Sequence, residues 1–193
     1  MLISGEIFTH KILWECCLRL RETARSRTKG ARYFQISTML MAYLTYEAYI
    51  NFLGDRLAPE IWKQERRLLR GIEDKLKVIQ KRCGLSSIEK ERRPYSTISQ
   101  LRELRDFLSH GKTEKYSKIT TGYKEIERPL FLSEGKLNTS VSRGKANVAV
   151  TDVKKFIEFL HGQVIRHRKD LWFGDEALTG IRSHELRDSK VNE

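Results

Sequence analysis

Arg105 and His110 stand five residues apart in the phrase Arg105-Asp106-Phe107-Leu108-Ser109-His110-Gly111. The two side chains supply what cleavage of RNA through its own 2′-hydroxyl asks of a protein. An imidazole with an ordinary pKa of about 6.5 can move a proton near neutral pH. A guanidinium carries a fixed fork of donors that suits the charge building on phosphorane oxygens. Placed at the end of one helix, both are expected to face a phosphate. Ser109 and Lys112 flank the histidine and could touch the same phosphate.

The stretch from Tyr95 to His110 must position them. Ile98, Leu101, Leu104 and Leu108 recur at the helical period of about 3.6 residues, and Arg105 falls inside that stripe. A guanidinium on an apolar face must find an anion or reach a cleft, because removing one partner of a buried pair costs about 3 to 5 kcal/mol. The same anomaly occurs upstream. Between Ala31 and Leu57, the stripe through Tyr33, Leu40, Leu44 and Ala48 also carries Glu47 and Asn51. Glu47 is therefore the expected partner of Arg105.

Each of these residues also has a plainer reading. His110 before Gly111 could be a cation at a helix C-terminus, favoured there by about 0.3 to 1 kcal/mol. Arg105 could be only a structural ion-pair member, and Asp106 an exposed helix residue. Glu47 and Asn51 fit an architectural role better than a catalytic one.

The Arg-polar-x-x-x-His-Gly phrase at Arg105 to Gly111, preceded by Ala42-Tyr43-x-x-x-Glu47-Ala48-Tyr49-Ile50-Asn51, resembles the HEPN superfamily of all-helical domains. The resemblance spans roughly Glu6 to Arg168. Many members are ribonucleases of bacterial toxin, phage-defence and RNA-processing systems. It implies an all-α bundle and a metal-independent endoribonuclease with Arg105 and His110 catalytic and Asp106, Glu47, Asn51 and Ser109 in support. It also implies a homodimer in which two motif helices meet and build a composite site. The products would be a 2′,3′-cyclic phosphate and a 5′-hydroxyl. An antitoxin or a defence-complex partner is a further implication. One branch of the family places a nucleotide-accepting Tyr two positions after the His; here that position is Lys112, so control by that route is not expected.

The chain of 193 residues suits one domain over 1–174, followed by a polar tail over 175–193. Hydrophobic residues at 39% suffice for a core, and only three prolines interrupt long stretches of helix formers. The pattern predicts about five helices. These cover Glu6 to Ser26, closed by Gly30; Ala31 to Leu57; Leu68 to Cys83, ended by Gly84; Tyr95 to His110; and a last helix capped by Asp152 through Val153, Phe156, Ile157, Leu160 and Val164; Pro59 marks a break and a shorter helical restart between the second and third. The segment 112–150 is expected to be an irregular insertion or lid, with a strand or hairpin over Val141 to Val150.

No apolar run of about 18 residues and no signal-peptide pattern occurs, so a cytoplasmic protein without membrane contact is expected. Cys16, Cys17 and Cys83 are expected to be small buried hydrophobes, and no cofactor or metal is expected: His161 and His167 lie six apart without further ligand spacing. Trp14, Phe34, Phe156 and Phe159 are assigned to the core, which leaves no evident stacking platform for bases.

A net charge of +12 and a pI near 9.7 point to a polyanion such as RNA. The cations cluster at Arg19 to Arg32, at Lys63 to Arg70 and at Lys81 to Arg93. Each cluster alone could be a solvated helix face. Arg92, Arg93, Arg102 and Lys112 are the expected RNA contacts. Two other readings remain open: a non-catalytic HEPN-like module for dimerisation or RNA binding within a larger defence complex, and an unrelated basic nucleic-acid-binding regulator. For the latter, no recognition helix with a short Gly-containing turn before it is found.

Overall fold

The computed structural model describes residues 6–85, 88–111, 136–173 and 176–179. The fold is all-α. Five helices of eleven residues or more carry it: α1 (Thr9–Ser26), α2 (Ala31–Leu57), α5 (Ile72–Arg82), α6 (Tyr95–His110) and α8 (Arg143–His167). Three helices of four or five residues, α3 (Pro59–Trp62), α4 (Glu65–Leu68) and α7 (Lys136–Ser140), join them. Among the described residues none is a strand, and no helix is long and apolar enough to cross a membrane.

α2 is the axis, packed against α1, α5, α6 and α8. A helix surrounded in this way buries more than one face, and its sequence then lacks a single apolar stripe. The buried set is Thr38, Met39, Ala42, Tyr43, Thr45, Tyr46, Tyr49, Ile50, Leu53, Gly54 and Leu57. This corrects the stripe drawn through Tyr33, Leu40, Leu44 and Ala48: Tyr33 is 59% exposed and the other three are half-buried. Gly54 allows α3 to close on α2, since a Cβ there would collide with the Trp62 indole.

Several expected boundaries move. α1 starts at Thr9 rather than Glu6 and ends at the expected Ser26, and Gly30, at φ +74°, is the N-cap of α2 rather than the close of α1. The expected Leu68–Cys83 helix is broken at Leu69 to Gly71, so α5 starts at Ile72. The largest correction is at Val141 to Val150. From Arg143 onward it is the first part of α8, because Ala146, Ala149, Val150, Val153, Ile157, Leu160 and Val164 form one buried stripe at spacings of three and four. Ser142 caps that helix, its Oγ accepting the Lys145 N–H at 3.1 Å. The expected irregular insertion is therefore helical over 136–140 and from 143 onward; 112–135 lies outside the described residues.

Asp152 is no cap. It lies inside α8, 1% exposed, where its carboxylate accepts Thr97 Oγ1 at 2.6 Å and Arg93 Nε and Nη2 at 2.6 and 2.8 Å. Phe159 is 51% exposed rather than in the core, whereas Trp14 and Phe156 are buried and Phe34 is half-buried. Cys17 and Cys83 are buried as expected, but Cys16 is exposed.

Candidate functional site

α6 follows its expected limits, Tyr95 to His110, and Leu101 and Leu104 lie in the core it shares with α2 and α8. Leu108 is half-buried. Its end is set by Gly111, whose φ of +54° is a left-handed conformation that a side chain disfavours. The Gly111 N–H turns back to the Leu108 carbonyl at 3.3 Å. This stop leaves Ser109 and His110 exposed on the last turn of the helix.

The expected Glu47–Arg105 pair is present. Arg105 Nη2 donates to Glu47 Oε1 at 2.7 Å, linking the middle of α2 to the last turns of α6. Arg105 Nη1 lies 2.8 Å from Asp106 Oδ1, so two carboxylates share one guanidinium. The side chains of Arg105 and Glu47 keep 34% and 24% exposure, which makes this a partly open pair.

Arg105 Nε is buried with no hydrogen-bond partner, and the guanidinium carbon lies 5.3 Å from the centre of the Tyr43 ring. Burial opposes the Arg105 charge, but Glu47 and Tyr43 outweigh it and hold the group above its ordinary value. Burial, and then the Glu47 charge, push the Tyr43 phenol upward. Tyr43 was missed in the sequence. Its position one turn before Glu47 is the signal that could have found it, since residues four apart share a helix face.

Asn51 is not part of this constellation. It is exposed, and its Oδ1 accepts Lys75 Nζ at 2.8 Å, the same ammonium that pairs with Glu65 at 2.6 Å. The expected RNA contacts are largely neutralised. Arg102 lies 3.4 Å from Glu73 and 3.8 Å from Asp106, and Arg93 is committed to Asp152. Arg92 pairs with Glu89 at 3.2 Å but is 81% exposed. Glu73 also takes Lys90, which with Arg102 holds its carboxyl below the usual range. Lys112 lies outside the described residues.

Helix geometry separates the two motif side chains. Five residues on an α-helix amount to about 140° of rotation and about 7.5 Å of rise. Arg105 turns toward Glu47 and His110 stands exposed on the last turn of α6, so the two side chains leave the helix at different angles.

The described residues include no group of three or more His, Cys, Asp or Glu side chains arranged to hold a metal. No family model matches this chain, and neither does any curated protein or solved structure.

Proposed function

We propose that the protein is a HEPN-like endoribonuclease that cleaves RNA by transesterification in a site completed by a second copy of the chain. The observation that carries this reading is the Glu47–Arg105 pair. A partly exposed arginine, oriented from α2, stands on the same helix that ends in an exposed histidine. The basic composition supports RNA as the substrate.

In this mechanism His110 of one copy takes the proton from the ribose 2′-OH, and the freed oxygen attacks the adjacent phosphorus. As the bond from phosphorus to the 5′ oxygen breaks, the second copy's histidine returns a proton to the leaving oxygen. The Arg105 guanidinium stabilises the negative charge on the non-bridging oxygens. Glu47 and Asp106 position Arg105 without touching the substrate. Products end in a 2′,3′-cyclic phosphate and a 5′-hydroxyl, and DNA, lacking the 2′-OH, is not cut. A role in toxin–antitoxin or phage-defence systems, within the cytoplasm, follows from the same reading.

The test is incubation of wild type, Arg105→Ala and His110→Ala with total tRNA and a structured RNA in EDTA, followed by analysis of product ends and of dimer formation. Cleavage to cyclic-phosphate ends is expected, with a loss of at least about 100-fold in each variant while dimers persist. RNA binding without cleavage, unchanged in both variants, would replace this reading with that of a binding or assembly module. The pairing of Arg105 Nη1 with Asp106, which occupies a second nitrogen of the guanidinium, favours that second reading.

A further inference from the structure

The basic clusters do not share one fate in the fold: Lys63, Arg66 and Arg67 are exposed with no carboxylate in ion-pair reach among the described residues, and the other two clusters differ from each other. In the stretch from Lys81 to Arg102, carboxylates take up most of the cations: Arg82 pairs with Glu60, Lys90 with Glu73, Arg92 with Glu89, Arg93 with Asp152 and Arg102 with Glu73. At the turn between α1 and α2 the opposite holds. Arg27 and Lys29 are exposed, and neither has a carboxylate within ion-pair reach among the described residues. The one acid between Arg19 and Arg32 is Glu22, which lies 3.9 Å from Arg25.

Two further features sit on this turn. Tyr33 presents 59% of its surface to solvent, one turn into α2 and beside Gly30. A shallow hollow is lined by Arg27, Thr28, Lys29 and Gly30. The start of α8 is held against the same place, because Arg25 Nη2 donates to Asn147 Oδ1 at 3.2 Å. Arg143, one turn before Asn147 and also exposed, extends the basic surface.

The position of this surface relative to α6 follows from pairing. Thr97 near the start of α6 bonds Asp152, while Gln100 and Leu104 line a cleft with Ser142 and Lys145 at the start of α8. The two helices therefore run antiparallel. The C-terminal turn of α6, with His110, lies toward the end of the bundle that carries Arg143 and the α1–α2 turn.

We propose that the α1–α2 turn is a docking surface for single-stranded RNA, with Arg27, Lys29 and Arg143 taking phosphates and the exposed Tyr33 ring stacking on a base. Cations that follow a backbone beside an aromatic face are the chemistry by which unpaired strands are held. The choice of RNA over another polyanion rests on the ribonuclease reading.

The experiment measures binding of a short labelled oligoadenylate by fluorescence anisotropy across a salt series, in a His110→Ala background so that the ligand survives. Tyr33→Ala is expected to weaken binding about 10-fold, and Tyr33→Phe to keep the parent affinity. Arg27→Ala/Lys29→Ala is expected to flatten the slope of log affinity against log salt by about 1.4, the value for two phosphates of a single strand. Lys63→Ala/Arg66→Ala, at the other end of α2, is the charge-matched control and should leave the slope in place. All four positions are exposed, so far-UV circular dichroism should match the parent.

Parent-like binding by Tyr33→Ala, or equal flattening by the two double variants, would overturn the proposal. So would binding to phosphatidylserine vesicles, but not to RNA, through the same two cations. The two readings fail separately. RNA bound at this surface but never cut removes the ribonuclease reading alone. RNA cut with an unchanged KM by otherwise wild-type protein carrying Tyr33→Ala removes this one alone.

Discussion

Two arginine–carboxylate pairs anchor α6, one before its first turn and one near its last, and they are built differently. At the start, Arg93 grips Asp152 through two hydrogen bonds and Thr97 adds a third, on a carboxylate that is 1% exposed. Near the end, Arg105 makes one hydrogen bond to a Glu47 side chain that is 24% exposed, shares its charge with Asp106 and leaves Nε without a partner. A fully satisfied buried carboxylate fixes a helix in place; a half-open guanidinium with spare donors can still respond to a ligand. One helix thus carries a lock at one end and an adjustable group at the other.

The largest effect expected from this contrast is on stability at the lock. Arg93→Ala leaves Asp152 buried with Thr97 alone and should lower the urea midpoint, at unchanged m-value, further than Glu47→Ala does, although the Arg93 side chain is itself 57% exposed. A midpoint like the parent's would mean that water serves the buried carboxylate as well as Arg93 does.

Acid should separate the lock from the rest of the core. Burial works against the Asp152 carboxylate, but Arg93 and Thr97 overcome it and hold its pKa below 3.8. Its contribution is therefore present at neutral pH and is lost as pH falls below about 3.8. His10 acts in a higher window. Burial, then the neighbouring Lys11 charge, lower its pKa from 6.5 to about 4. The unfolded chain gains a proton near 6.5 that the folded chain refuses until about 4, so stability declines across that interval as pH falls. Urea midpoints measured against pH should show Asp152→Asn flattening only the lower limb and His10→Gln only the upper one.

Glu47→Ala should cost less than Arg93→Ala, about 1 kcal/mol, because its pair is partly solvated and Asp106 remains beside Arg105. Its effect on RNA cleavage should exceed its effect on the unfolding midpoint, since the role assigned to Glu47 is to aim the guanidinium. Asp106→Asn is the mildest change, within about 0.5 kcal/mol, and should lower cleavage less than Glu47→Ala does. If Asp106→Asn destabilises as much as Arg93→Ala, the two ends of α6 are not different in kind.

The sequence revealed the adjustable end and concealed the lock. Arg105 was legible because it is a charge set within the apolar stripe of α6, and Glu47 because it is a carboxylate in the most apolar helix, although the stripe drawn around it was the wrong one and its buried neighbour is Tyr43. The limits of α2 and α6 were legible for a related reason: Gly30, Pro59 and Gly111 interrupt strong helical periods. Asp152 was hidden by a local coincidence. It follows Val148, Val150 and Thr151, whose short alternation reads as a strand, and an Asp after such a run reads as a cap. Only packing against Thr97 and Arg93, more than fifty residues away in the chain, shows it to be interior. Tyr33 was misplaced because α2 is enclosed by several helices, so the hydropathy of the helix names no single outward side.

The neighbouring thiols of α1 divide sharply in reactivity. Cys17 is fully enclosed, its Sγ 3.4 Å from the Thr38 carbonyl, and burial pushes it up to about 12, which suppresses the thiolate at neutral pH. Cys83 is buried as well and is likewise raised by its surroundings, whereas Cys16 faces solvent. The native chain therefore carries a single addressable sulfur on the outer face of α1, ready to take one maleimide spin label or fluorophore without any engineered cysteine. Distances between two such labels would report how copies of the chain come together while Arg105, His110 and the α1–α2 turn remain chemically untouched.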